Sequence, residues 1–214
     1  MLPIVSIVGA KKSGKTTVVE ALVKELAGRG LRVATMKHCH AGFQIDRAGS
    51  DSWRHLQAGA VEAALRGPEE FAVLGKGKER SFLRLAIFLL EEADLVLAEG
   101  FSEEKLPKIE VVRSAAGESP LHPPETLLAI VTDLRKEWPA PAFGFAETEG
   151  LANLIVERFL TTKKEVSLVI EGKQVGLNRF TDGFIASTVR GMLSALHDIP
   201  ADAARISLHL RRHR

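Results

Sequence analysis

The chain has 214 residues, 45% of them hydrophobic, enough for one moderate domain with a real core, or one domain and a small appendage. Lys+Arg 29 against Asp+Glu 27 leaves a formal charge of +2, which excludes a bulk polycation for nucleic acid or a membrane surface. A single cysteine, Cys39, excludes a disulfide framework, and Glu91, Glu92 and Asp94 interrupt the apolar run from Leu83 to Ala98 before it could span a bilayer.

Ile4-Val-Ser-Ile-Val8 is short, apolar and β-branched, the pattern of a buried parallel strand. Gly9-Ala-Lys-Lys-Ser-Gly-Lys-Thr-Thr17 then fits the phosphate-binding loop G-x-x-x-x-G-K-[ST], and Val18 to Ala27 is an amphipathic helix stopped by Gly28 and Gly30. Strand, glycine loop and helix N-terminus put free backbone N–H groups around a polyphosphate. The motif's mechanics send Lys15 to the β/γ-phosphates and the Thr16 hydroxyl to Mg²⁺, so a nucleoside triphosphate site is expected here. The apolar start lacks a basic n-region and runs into this loop rather than a cleavage site, which with the lone cysteine predicts a soluble cytoplasmic protein.

Leu31 to Met36 reads as the second strand, ending at Lys37-His38-Cys39-His40, and a polar loop from Ala41 to Ser50 follows. Asp51 is expected to cap a helix through Ala58, and Glu62 to Leu65 is a further short strand. Ser81 to Glu92 is helical; Leu95 to Ala98 is an apolar strand that stops at Glu99-Gly100. Ile109 to Val112 and Leu127 to Val131 are strands separated by a Pro-rich loop around Pro120 to Pro124, and Thr148 to Leu160 closes the region as a helix. The alternation predicts an α/β fold of the phosphate-loop NTPase type over residues 1–162, with a mostly parallel sheet flanked by helices.

After a charged joint at Lys163-Lys-Glu165 the pattern changes. Val166 to Ile170 and Val175 to Leu177 flank a glycine turn, Phe180 to Leu196 carries apolar residues at helical spacing, and Ile206 to Leu210 alternates like a strand. Residues 163–214 are therefore expected to form a small ββαβ module whose helical stripe needs cover from its own sheet, the larger domain or a second subunit.

Carboxylates at the carboxyl ends of parallel strands near the loop are what a metal ion and a hydrolytic water require. Glu99 ends an apolar strand, where a charge is costly unless it meets a cation, and is expected near Mg²⁺ with Thr16. Asp94 begins the same strand, at the opposite sheet edge, and reads as a cap. Asp46 follows the second strand, where a switch segment would approach the γ-phosphate; a local turn-forming aspartate is the alternative. Asp46 and Glu99 are thus the catalytic candidates. Asp133 also follows a strand end; its carboxylate could accept the N1–H and 2-amino hydrogens of guanine, or cap a turn before Leu134. Lys37-His38-Cys39-His40 contains ligand types for Zn²⁺ or Ni²⁺, but strand alternation puts at most His38 and His40 on one face. Phosphate contacts from Lys37 and a histidine are favoured over a dedicated metal site.

Several of these segments together resemble the molybdopterin-guanine dinucleotide biosynthesis protein B family: Gly9 to Thr17; Lys37-His-Cys-His40; Asp46-Arg-Ala-Gly-Ser-Asp-Ser52 continuing to Gln57-Ala-Gly-Ala60; Leu97-Ala-Glu-Gly-Phe101; Lys108 to Arg113; and Ala129-Ile-Val-Thr-Asp133. The resemblance covers about residues 1–160. It implies a GTP-binding protein with weak intrinsic hydrolysis, usually a homodimer, working beside the molybdenum cofactor guanylyltransferase that joins GMP to molybdopterin. By position it implies that Gly9 and Lys12, Ser13, Gly14, Lys15, Thr16 and Thr17 hold GTP, that Thr16 and Glu99 lie near Mg²⁺, and that Asp133 reads guanine. Lys37, His38, His40 and Asp46 would line the γ-phosphate or pterin side. The chain departs from the family pattern at Ala41, at Ala48-Gly49-Ser50 and at Ser102, which removes two cations expected around this loop. A small-molecule kinase or ligase would need an Arg-rich lid, which the scattered Arg54 and Arg66 do not supply, and a nickel-insertion GTPase would need a longer His/Cys tract.

Overall fold

β1 (Ile4–Val8) is buried along its whole length, as a strand covered on both faces must be. The chain continues through α1 (Lys15–Gly28), β2 (Val33–Lys37), α2 (Asp51–Gln57), β3 (Glu62–Arg66), β4 (Phe71–Gly75), α3 (Phe82–Leu90), β5 (Leu95–Glu99), β6 (Lys108–Val112), β7 (Leu127–Thr132), β8 (Ala142–Phe143) and α4 (Thr148–Phe159). The computed structural model describes residues 2–75, 82–161, 165–170, 173–196, 206 and 208. The chain divides into two units, residues 2–161 and 162–214. Among the described residues, no helix is long and apolar enough to cross a membrane.

The main sheet of the first unit has strand order β2-β5-β1-β6-β7-β8, and every neighbouring pair in it is parallel. The chain therefore leaves β1 toward β2 on one side and returns from β5 to β6 on the other. This places a topological switch point at the carboxyl end of β1, where open α/β sheets bind ligands. β3 and β4 form a separate antiparallel ribbon. β4 and the two-residue β8 were not anticipated: Phe71 to Leu74 is hidden behind Gly67-Pro68, and Ala142-Phe143 sits just beyond Pro139 and Pro141.

One sheet face is sealed by apolar packing. Val5, Ile7, Leu95, Leu97, Ile109, Val111 and Val131 meet Val18, Leu22 and Leu26 of α1 and Leu151, Ile155 and Phe159 of α4. On the other face, Ile4, Met36, Val96 and Ala98 pack on Phe82 and Ala86 of α3. Beside α3 this second face turns polar, because β6 directs Lys108 and Glu110 into it, 4% and 1% exposed. Lys108 Nζ donates to the carbonyls of Glu104 (2.7 Å) and Leu106 (3.2 Å), and burial lowers its pKa. The Glu110 carboxylate accepts from the backbone N–H groups of Leu121 (2.6 Å) and His122 (3.2 Å) and contacts His122 Nδ1 at 3.1 Å. Two loops thus bind to buried charged side chains of β6.

Asp94 does not cap a helix. It ties the amino ends of β2 and β5 together: its N–H donates to the Arg32 carbonyl (2.7 Å), and its carboxylate accepts from Arg32 N–H (3.0 Å) and Nη2 (2.8 Å). The cap of α2 is Ser50 rather than Asp51, since the Ser50 hydroxyl accepts from Trp53 N–H at 3.1 Å.

In the second unit β9 (Leu168–Ile170) pairs antiparallel with β10 (Lys173–Val175), two residues earlier than the strand expected from Val175. α5 (Arg179–Ser194) starts at Asn178, whose side chain accepts from Thr181 N–H at 2.9 Å. Asp182 is buried and accepts from the N–H groups of Glu165 and Val166, both at 3.1 Å. Phe180, Phe184, Met192 and Leu196 of the expected apolar stripe are exposed. The final strand expected over Ile206 to Leu210 falls outside the described residues apart from Ile206 and Leu208.

Glu110→Ala removes the acceptor shared by the N–H groups of Leu121 and His122 and is expected to destabilise the protein by about 1–3 kcal/mol. The midpoint of urea unfolding measures it; a variant as stable as the parent would mean that the loop re-pairs these donors elsewhere.

Candidate functional site

All six strands of the main sheet point the same way, so their carboxyl ends share one edge, and the residues just past them meet there. The chain leaves β1 at Gly9, with φ of +134°; a Cβ on this residue would stand 2.4 Å from the Val111 carbonyl oxygen. No other residue type lets the loop depart so close to β6. The loop ends at Gly14, whose φ of +100° ushers the chain into α1. A Cβ there would lie 3.3 Å from Cε1 of Phe145 and 3.8 Å from Nη1 of Arg113. Lys12 also takes a left-handed conformation, with φ of 63°. The Ser13 hydroxyl is fully buried and makes no hydrogen bond.

Lys15 folds back over the loop and donates to the carbonyls of Gly9 (3.0 Å) and Ala10 (2.7 Å). Burial lowers its pKa, while Glu99 acts in the opposite direction. At the next residue, the Thr16 hydroxyl contacts both oxygens of Glu99, at 3.0 and 3.1 Å. Lys37, the last residue of β2, reaches Glu99 Oε1 at 2.9 Å and the Thr16 hydroxyl at 3.4 Å. Its hydrogen bond and charge interaction with Glu99 raise the Lys37 pKa. Lys15 and Thr16 from the start of α1, Lys37 from β2 and Glu99 from β5 therefore converge on one point. Hydroxyl and carboxylate oxygens in mutual contact are the hard donors that Mg²⁺ takes, so the residues present fit that ion.

Next to Glu99, the His38 and His40 rings lie 4.1 Å apart, and His38 stacks on Phe101 at 5.1 Å. Phe101 is held with φ of 57° and rests edge-on against Phe82, 4.8 Å away. Among the described residues, no three His, Cys, Asp or Glu side chains are arranged to hold a metal.

Asp46 makes its hydrogen bonds inside its own loop. Oδ1 accepts from Arg47 N–H (2.8 Å), Ser50 Oγ (2.7 Å) and Ser52 Oγ (3.2 Å), and these contacts, led by that from Ser50, lower its pKa. Oδ2 is buried without a partner. Asp133 lies on the other side of the phosphate loop, past β7. Its oxygens accept from the N–H (2.9 Å) and hydroxyl (3.0 Å) of Ser114, and Arg113 Nε stands 3.7 Å away. The Ser114 N–H bond is the main reason its pKa is lowered, so the carboxylate is ionised at neutral pH. Arg113, Ser114 and Phe145 were missed by sequence reasoning. Arg113 sits directly after a buried strand, as Asp133 does, but an exposed arginine is too common to signal a site.

A buried β1, a glycine loop threaded against β6 and a helix whose first residue is the loop lysine define a phosphate-loop nucleotide-binding protein. The family model for molybdopterin guanine dinucleotide synthesis protein B matches residues 4–133, and the chain belongs to this family. It is 35% identical over 134 residues to the molybdopterin-guanine dinucleotide biosynthesis adapter protein of Haemophilus influenzae, covering 62% of this chain and 75% of that one. It is 29% identical to the corresponding Escherichia coli adapter protein, covering 73% and 93%. A crystal structure of molybdopterin-guanine biosynthesis protein B superposes with a TM-score of 0.55 at 29% identity, over 72% of this chain and 97% of that one. The Bacillus subtilis protein, 22% identical, shares the fold with a TM-score of 0.54 over 75% of this chain and all of its own.

Because Asp46 is held ionised by the hydroxyls that order the start of α2, its contribution is present above the usual carboxylate range and is lost as pH falls through its lowered pKa. Asp46→Ala is expected to speed hydrogen exchange of the amides at 50–54 at neutral pH. Acidification should produce the same change in the parent protein. Equal protection in both proteins across that range would show the loop to be ordered by other contacts.

Proposed function

We propose that this chain is an adapter in the synthesis of molybdopterin guanine dinucleotide that binds GTP with Mg²⁺. The observation that carries the nucleotide part is the convergence of Lys15, Thr16, Lys37 and Glu99 at the carboxyl edge of a parallel sheet, at the entrance to α1. Backbone N–H groups of residues 12–17 and the Lys15 ammonium would hold the phosphates. Thr16 and Glu99 would hold Mg²⁺, which supplies charge neutralisation at the terminal phosphates. Asp133 would accept the N1–H and 2-amino hydrogens of guanine, two donors that adenine lacks. The names of the Haemophilus influenzae and Escherichia coli relatives support the adapter role. Its partners would be the molybdenum cofactor guanylyltransferase and molybdopterin, met in the cytoplasm by a homodimer. His38, His40 and Phe101 form an aromatic surface beside Glu99 on which a pterin or the γ-phosphate side of the nucleotide would rest. Asp46 and Glu99 are the residues to examine for hydrolysis. The small-molecule kinase and the nickel-insertion GTPase find no support in the family.

Lys15→Ala is expected to abolish tight triphosphate binding while the circular dichroism spectrum stays that of the parent; retained affinity would remove the basis of this reading. Asp133→Asn replaces one acceptor by an amide donor and should weaken GTP by about 1–3 kcal/mol with little change for ATP. Calorimetric titration with both nucleotides decides, and equal losses would make Asp133 a structural residue. Glu99→Gln should lower the Mg²⁺ dependence of GTP binding and leave binding in excess EDTA unchanged, because a neutral amide is a poor partner for a hard dication.

A further inference from the structure

The groups suited to the phosphates and metal lie to one side of the phosphate loop. Glu99 and Lys37 end β5 and β2, on the β2–β5 side of β1. On the other side of the loop, the ends of β6, β7 and β8 are where a nucleotide with its phosphates there would place its base. Three residues stand at those ends: Arg113 directly after β6, Asp133 directly after β7, and Phe145 two positions after β8.

They are joined to one another and to the loop. The Arg113 guanidinium lies 5.2 Å from the centroid of the Phe145 ring, and its Nε is 3.7 Å from Asp133 Oδ2. Both side chains close on Gly14 so tightly that a Cβ there would touch them. Arg113 remains half-exposed. Phe145 lines a small pocket of about 30 Å³ together with Thr17, Val18, Ala21, Val131 and Leu151.

We propose that Arg113 and Phe145 form the wall on which the nucleobase stacks, beside the carboxylate that reads its edge; this rests on the GTP-binding reading above. A guanidinium plane and an aromatic ring are the two side-chain surfaces that stack on heterocycles. Every base offers a π-face, so this wall supplies affinity for the nucleoside, while Asp133 supplies the choice of guanine. The Arg113–Asp133 contact holds both groups on the same side of Gly14, so the base meets the wall and the acceptor together.

The test uses the full-length chain, Arg113→Ala and Phe145→Leu, the second chosen to keep an apolar side chain over the cavity. Each is titrated with GTP, ATP and inorganic tripolyphosphate. The fluorescent triphosphate of 2-aminopurine riboside, whose emission falls on stacking, is the fourth ligand. Expected is a loss of about ten-fold or more in GTP affinity, a similar factor for ATP, unchanged tripolyphosphate affinity, and relief of the 2-aminopurine quench. Unchanged GTP affinity in both variants would overturn the wall. Parallel losses of GTP and tripolyphosphate would also overturn it, since the pair would then act through the loop. A parent protein that binds tripolyphosphate as tightly as GTP would sink the nucleotide reading itself, an outcome the parent shows before any variant is made.

Discussion

Burial of α1 against the face of β1 depends on the chain reversing within the loop between them, and that reversal depends on Gly9 passing the Val111 carbonyl at a distance no Cβ would permit. The apolar residues Val18, Leu22 and Leu26 then draw α1 onto Val5, Ile7 and Leu97, so the helix N-terminus is held at the sheet edge. The same packing that makes the core therefore aims the first N–H groups of α1, Lys15 and Thr16. Substitution in this core would move the binding edge as well as lower stability, because the same apolar residues hold the helix against the sheet.

The two faces of the sheet solve the burial problem differently. The face under α1 and α4 is packed with apolar side chains. On the opposite face α3 packs over part of the sheet, and beside it Lys108 and Glu110 make hydrogen bonds to loop backbone. Buried charges of this kind add little net stability compared with apolar packing, but each imposes a specific partner. Here the partners are the loops that lead into β6 and away from it, and the second of these carries Arg113 and Ser114. Precision at the binding edge is thus obtained from polar contacts on this second face.

Much of this was legible in sequence because it rests on short-range rules. Ile4 to Val8 and Leu95 to Ala98 are apolar without alternation, which identified central parallel strands, and Glu99 stood out because a charge ended such a strand. The loop motif placed Lys15 and Thr16 directly. Pairing was the part that could not be read: nothing local says that Lys37 reaches Glu99, that Asp94 binds Arg32, or that Glu110 is satisfied from Leu121 and His122. β8 is two residues long, too short for a periodicity, and β4 follows a Gly-Pro turn that reads as the start of a loop. Phe145 sits in an irregular segment, and only the closure of the sheet brings it to Gly14.

The loop from Arg113 to Thr126 is pinned near both ends by carboxylates rooted in the sheet, Ser114 by Asp133 and Leu121 with His122 by Glu110. Between these two piers the Glu118 carbonyl also accepts from Lys136 Nζ, a side chain outside the loop. At Gly117, exposed and with open space around its Cα, the chain is positioned for lengthening without disturbing either pier. Closure entropy grows only logarithmically, about 0.6 kcal/mol per doubling of the loop. That makes this position suitable for inserting a tag or attaching a dye close to the binding edge, in a protein whose other edge loops carry the site itself.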